Sequence, residues 1–208
     1  MTTTITIESN ILKAHLITAA KNDTRYYLNG IFIDVKNCRI VSTDGHCLLV
    51  TRLNENCIDG DVCEPFIINR DVVALGLKAC VKKMPAVITY DQSPNTVPVL
   101  TVCDVTGSPV HGKFPDFERL IPSSLNNQMA HFDAELVNRV SDALILLNGK
   151  QNTKPTLFHN GKNVGLMICG NDSFGVVMPM RDPTTQSDAL ILVDAIMGRT
   201  PICQTTAA

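Results

Sequence analysis

An α+β fold is predicted, made of three β-α-β-β-β repeats with the helices on one face of antiparallel sheets. Two observations predict it. The first is a pattern that occurs three times, as "TITIESNILKAHLITAAK", "PFIINRDVVALGLKACVKK" and "AHFDAELVNRVSDALILLN". Each copy reads as a short strand, a polar residue able to cap a helix, and an amphipathic helix. The caps fall at Asn10, Asn69 and Asp133, a period of about 60 residues, as in a structural repeat. The second is that each helix is followed by two or three apolar, β-branched runs separated by turn residues, the pattern of short antiparallel strands.

Taken in order, the first helix carries Ile11, Leu12, His15, Leu16, Ala19 and Ala20 on one stripe. The strand-like runs "RYYLNGIFIDV", "CRIVST" and "HCLLVTRL" follow. In the second helix, Val72, Val73, Gly76, Ala79 and Cys80 form a stripe of small residues suited to close packing on a sheet, followed by "PAVITYD" and "PVLTVCDV". The third helix has Leu136, Val137, Val140, Leu144 and Leu147 on its apolar face, followed by "PTLFHN", "NVGLMICG" and "SFGVVMPM".

Composition narrows the function. Of 208 residues 45% are hydrophobic and 18% charged, as in a globular chain. No apolar run approaches the ~20 residues that cross a bilayer, and "MTTTITIESN" lacks a secretory pattern, so a cytoplasmic setting with no membrane partner is expected. The eight cysteines never form C-x-x-C and mostly lie in apolar runs, so reduced, buried thiols are expected and structural zinc is not. A net charge of −2 argues against a small basic domain that grips DNA by charge alone, but permits charge segregated between faces.

The segment "STDGHCLLV" places an acid, an imidazole and a thiol together. Asp44 and Gly45 read as a two-residue hairpin turn, which puts His46 and Cys47 on opposite faces of one strand. No positioned base is identifiable for a thiol nucleophile, and Cys47 reads as a strand residue. Paired carboxylates at defined spacing, phosphate-binding glycine loops and HExxH-type motifs are all missing from the sequence, so no enzyme and no cofactor are expected.

Three phrases carry a resemblance. "TRYYLNGIFIDVKNCRIVSTDGH" resembles the start of the central domain of the bacterial β sliding clamp, the processivity factor of DNA polymerase III. "HGKFPDFERLIP" is similar to that domain's closing segment, and "VVMPMR" to the segment that nearly ends the clamp's last domain. The resemblance covers residues 1–181 and implies a DNA-clamp fold in which helices line a hole and sheets form the outer wall. Residues 1–124 would be a complete clamp domain of two units and 125–181 half a domain, with 182–208 a C-terminal extension. On this reading the family's N-terminal domain and half of its last domain are missing.

The resemblance also implies a pocket for partner peptides of polymerases and the clamp loader. The matching positions are Arg25, Tyr27, Leu28, Thr43, Gly45, His46, Leu48 and Pro122, with Val176, Val177, Met178, Pro179 and Met180 from the last strand. The family usually has arginine where Cys47 stands. Non-sequence-specific contact with double-stranded DNA is expected from helix-face cations: Lys13 and Lys21, then Arg70, Lys78 and Lys82, with Arg139 the weakest candidate because Glu135 and Asp142 bracket it. Self-association is expected as a homo-oligomer. Four chains would supply the twelve units of a family ring, and a dimer is the alternative. A different reading is a clamp-like regulator or decoy that closes no ring and competes for partner peptides. In the tail Pro183 breaks the chain, and "SDALILVDAIMG" reads as a helix or an extra strand. Gln186, Leu190 and Leu192 loosely resemble a clamp-binding peptide, so the tail either docks into a pocket or completes the core.

Overall fold

Among the described residues, period-two runs and helical stripes assemble into two antiparallel sheets and four α-helices in a computed structural model. The structure describes residues 2–61, 63–80, 84–93, 96–149, 154–181 and 186–197, and within the last segment the side chains of 189, 191–193 and 195–197. In chain order the elements are β1 (Thr2–Ile7), α1 (Ser9–Thr18), β2 (Gly30–Asp34), β3 (Arg39–Thr43), β4 (Cys47–Arg52), β5 (Ile58–Gly60) and β6 (Phe66–Asn69). Then come α2 (Arg70–Ala79), β7 (Ala86–Asp91), β8 (Val99–Val102), β9 (Val105–Gly107), α3 (Ala134–Asn148), β10 (Thr156–Phe158), β11 (Gly165–Ile168), β12 (Ser173–Val177) and α4 (Gln186–Ile196).

The predicted caps hold for two helices. Asn69 and Asp133 accept the backbone N–H of Asp71 and Glu135, at 2.7 and 2.8 Å. Helix α1 differs: it starts at Ser9, Glu8 caps it without a side-chain bond, and Asn10 lies inside its first turn. The Asn10 amide instead reaches across to α3 and donates to the Leu146 carbonyl at 3.4 Å. The run "PVLTVCDV" divides into β8 and β9, joined at Cys103 and Asp104, both at positive φ as a tight primed turn requires.

The strand order is β5-β1-β7-β8-β9 in one sheet and β10-β11-β12-β4-β3-β2-β6 in the other. The sheets and helices enclose three apolar clusters. Ile5, Ile7, Ile88 and Leu100 from the first sheet meet Ile31, Ile33, Ile40 and Ile68 from the second, with Leu12 of α1 and Val73 of α2 between them. The second cluster joins Ala14 of α1 and Val140, Ala143 and Leu144 of α3 to Cys47, Leu49 and Val177. The third covers the opposite face of the large sheet, where Val41, Leu48, Val50 and Val176 lie beneath Phe114 and Phe117. Helix α1 packs against both α2 and α3.

The β4–β12 pairing makes the first and third repeats one sheet, from Ser173 opposite Thr51 to Val177 opposite Cys47. The third repeat's first strand is reduced to a single bridge between Phe132 and Pro179. Helix α3 seats closely here because Gly175 has no side chain: a Cβ would lie 2.2 Å from Val140 Cγ1. Gly175→Ala is expected to push α3 off β12 and cost about 1–3 kcal/mol, read by urea unfolding.

Candidate functional site

The turn after β3 is wider than the two-residue hairpin predicted. Thr43 stands opposite Leu48, so four residues lie between these paired positions, Asp44, Gly45 and His46 outside the strands and Cys47 as the first residue of β4. Asp44 closes this turn by accepting the N–H groups of His46 and Cys47, each at 2.8 Å. The Thr43 hydroxyl donates to the Cys47 carbonyl and accepts from Gly45 N–H. Gly45 has φ +92°, a backbone conformation that favours glycine, while a Cβ there would meet only the movable end of the exposed Arg25 side chain. Burial raises the Asp44 pKa, but the two N–H groups and Arg139 outweigh it and leave the carboxyl below its usual range.

Around this turn the structure brings together several of the residues that the resemblance names. Arg25 forks onto the Asp23 carboxylate, at 3.0 and 2.8 Å, and donates to the Asp44 carbonyl. That guanidinium holds the Asp23 carboxyl down at about 2. Tyr27 packs against the outer-face cluster, and Leu28 is buried in the short 3-10 turn before β2. Leu48 faces Val176 across the strand pair, both in the outer-face cluster. Met178 N–H donates to the exposed His46's carbonyl, Pro179 bridges Phe132, and Met180 is exposed. Pro122 is half-buried. Val177 departs from the expectation: alternation turns it to the helix side, beside Cys47 and Val140, so it belongs to the core and not to this wall.

Cys47 is buried and its thiol is pushed up to about 12, first by burial and then by the Asp44 charge. It is a packed thiol with negligible thiolate at neutral pH, which removes it as a nucleophile.

The helix-face cations fall into two groups. Lys13, Lys21 and Lys78 are exposed, whereas Lys82 lies outside the described residues. Arg70 and Arg139 are engaged within the chain. Arg70 donates to the carbonyls of Ala19, Ala20 and Leu16 at 2.7, 2.8 and 3.2 Å, which satisfies the C-terminal end of α1. Arg139 bonds the Asp44 carboxylate at 2.7 Å and the Ile17 carbonyl at 3.2 Å. The two arginines therefore clamp α1 between α2 and α3 and border a cleft of about 560 Å³ with Lys21 and His46. Spacing suggested a free cation at Arg70 and, at Arg139, one offset by Glu135 and Asp142; the groups they bond are 50 or more residues away.

The tail forms α4, the helical alternative. Ile191, Leu192, Val193, Ile196 and Met197 are exposed, so they do not fill the core of this chain. Pro183 and the side chains of Gln186 and Leu190 lie outside the described residues. Among the described residues no helix is long and apolar enough to cross a membrane.

Comparison with known proteins agrees with this geometry. The chain is 30% identical over 150 residues to the β sliding clamp of Vibrio cholerae, covering 70% of this chain and 40% of that one. It is 29% identical over 135 residues to that of Pseudomonas aeruginosa, covering 63% of this chain and 36% of that one. Among solved structures, the Pseudomonas aeruginosa DNA polymerase sliding clamp with ligand superposes with a TM-score of 0.62 at 20% identity, over 86% of this chain and 66% of that one. A putative DNA polymerase III β subunit from Eubacterium rectale superposes with a TM-score of 0.61 at 10% identity, over the same shares. No family model matches the chain. The fold is that of a DNA sliding clamp. The sequence is similar to the bacterial β sliding clamps, and the chain spans about 40% of the length of the curated relatives it matches.

Proposed function

We propose that this chain is a subunit of a DNA sliding clamp, a non-enzymatic cytoplasmic processivity factor that tethers a polymerase through its peptide pocket. The observation that carries the reading is sequence likeness to β sliding clamps over 150 residues, on a fold that exposes Lys13 of α1, Lys21 just beyond the end of that helix and Lys78 of α2. Residues 1–124 act as a full clamp domain and 125–181 as half of one, with several chains, four in the favoured arrangement, closing around the duplex. The lysines hold DNA through phosphates without reading bases, which permits sliding. Gly45, His46, Met178 and Met180, at the surface beside the buried Thr43, Leu48 and Val176, receive an apolar peptide anchor, with the thioethers adapting to its shape.

The test is retention on closed circular DNA compared with the same DNA linearised, with native mass measured in parallel. A ring stays on the circle and slides off the ends. K13E/K21E/K78E is expected to weaken binding by about tenfold or more at low salt and to flatten the salt slope by roughly one unit per lost phosphate contact. The removal of Arg70 and Arg139 from the free cations favours one second reading, a regulator that competes for partner peptides without gripping DNA. It predicts that the lysine variant keeps its full effect and that circular DNA is not retained.

A further inference from the structure

The outer face of the seven-stranded sheet carries a feature separate from the peptide pocket. Val50, Phe117, Ile121, Leu166, Ile168 and Phe174 line an apolar groove of about 480 Å³. None of the positions assigned to the peptide pocket lines it. Ile168 is 39% exposed on its floor, and the exposed Arg52 stands at its rim. Among the described residues, Arg52 has no carboxylate within ion-pair distance, whereas neighbouring Arg39 is held by Asp34 and Glu118.

Helix α4 offers an apolar stripe to this apolar lining, and its acidic sequence opposes the net charge of the groove's ionisable residues, Arg39 and Arg52 against Asp172. Ala189, Leu192, Val193, Ile196 and Met197 follow the i, i+3, i+4, i+7, i+8 rule, which gathers them on one side of a helix. That stripe is open to solvent, with Leu192 60% and Ile196 75% exposed. An eleven-residue helix is marginal in water without a surface against its apolar side. Its sequence holds two aspartates and no basic residue, opposite in sign to Arg52. Among the described residues the exposed stripe does not line the groove.

We infer that α4 of one chain seats its apolar stripe in the outer-sheet groove of a second copy, and that the exchange is reciprocal, giving a two-fold pair. Leu192, Val193 and Ile196 are the anchors, spaced as in helix-in-groove recognition. Exchange of the same element between two chains closes the assembly and leaves no open end for fibre growth. The inference does not rest on the clamp reading, and it uses neither the peptide pocket nor the helix-face lysines.

The test is native mass and sedimentation of the full chain over a micromolar concentration series, with L192D/I196D on the helix and Ile168→Asp in the groove. All three substituted side chains are exposed, and an unchanged thermal transition checks that the variants fold. The parent is expected to pair, and each variant to raise the dissociation constant by at least about tenfold. Mixing the two variants should restore a heterodimer, because one intact helix then meets one intact groove. A parent that stays monomeric overturns the inference, as does pairing unchanged in both variants or a mixture that fails to associate. Assembly through other edges, as in a clamp ring, would persist in both variants, so the two readings fail separately.

Discussion

Replacing His15 with alanine is expected to lower stability by about 3–4 kcal/mol at pH 7, measured by urea unfolding. The imidazole is fully buried beneath α1 and fixed at both nitrogens, with Nδ1 2.7 Å from Ser42 Oγ and Nε2 3.0 Å from Thr51 Oγ1. Thr18 bonds the same Ser42 hydroxyl at 2.6 Å, and Ser173 donates to Thr51 at 3.2 Å. The ring thus sits in a closed polar network tying α1 to β3, β4 and β12. Its loss opens a cavity and takes a partner from two buried hydroxyls at once.

The same residue sets an acid limit. Desolvation by burial lowers the His15 pKa to about 3, against 6.5 in the unfolded chain. Between these values the unfolded state binds a proton that the folded state does not, so stability falls as pH drops through this window. The slope approaches about 1.4 kcal/mol per pH unit. Over the full window this is of the same order as the whole stability of a typical domain. The depressed Asp44 adds to the loss only lower down, as pH falls below its unfolded value. Stability should therefore fall as pH drops from 6.5 toward 3, and His15→Leu should flatten the dependence between pH 6.5 and 4.5 relative to the parent. A parent whose urea midpoint is level across that range would contradict a neutral, buried imidazole.

The second large effect is expected from Arg70. Arg70→Ala should cost about 2–3 kcal/mol, because three carbonyls at the end of α1 lose a charged donor together. Arg70→Lys should recover little, since an ammonium cannot reproduce the planar fork over carbonyls of three residues. The two roles open to this residue separate cleanly in paired measurements. A structural clamp lowers the unfolding midpoint in both variants, while a DNA contact lowers only DNA affinity and is restored by lysine.

Much of this protein was legible locally. The stripes of α2 and α3, the caps at Asn69 and Asp133, and the strand runs from Gly30 to Arg52 follow from periodicity and turn chemistry, which act over a few residues. The pocket positions could be named only through their resemblance to β sliding clamps, because Thr43, Leu48 and Val176 look like ordinary strand residues in isolation. Gly45 was readable as a turn, but the four-residue width of that turn was not. It depends on Asp44 accepting two backbone donors while Arg139, 95 residues away in the chain, pairs with it.

The sequence by itself therefore determined the class of the fold, the order of its elements and which face of most of them is apolar. Only the tertiary structure decided that β12 adds to β4, that Val177 turns inward, and that Arg70 and Arg139 hold a helix end in place of facing outward as free cations. It also decided that the hydroxyls around His15 reach the third repeat through the Ser173–Thr51 hydrogen bond. The physical reason is range. Side-chain periodicity reports which face is buried, but not which distant partner buries it. Strand-edge pairing, carbonyl acceptors and ion pairs are settled by groups far apart in the chain, whose meeting no local pattern encodes.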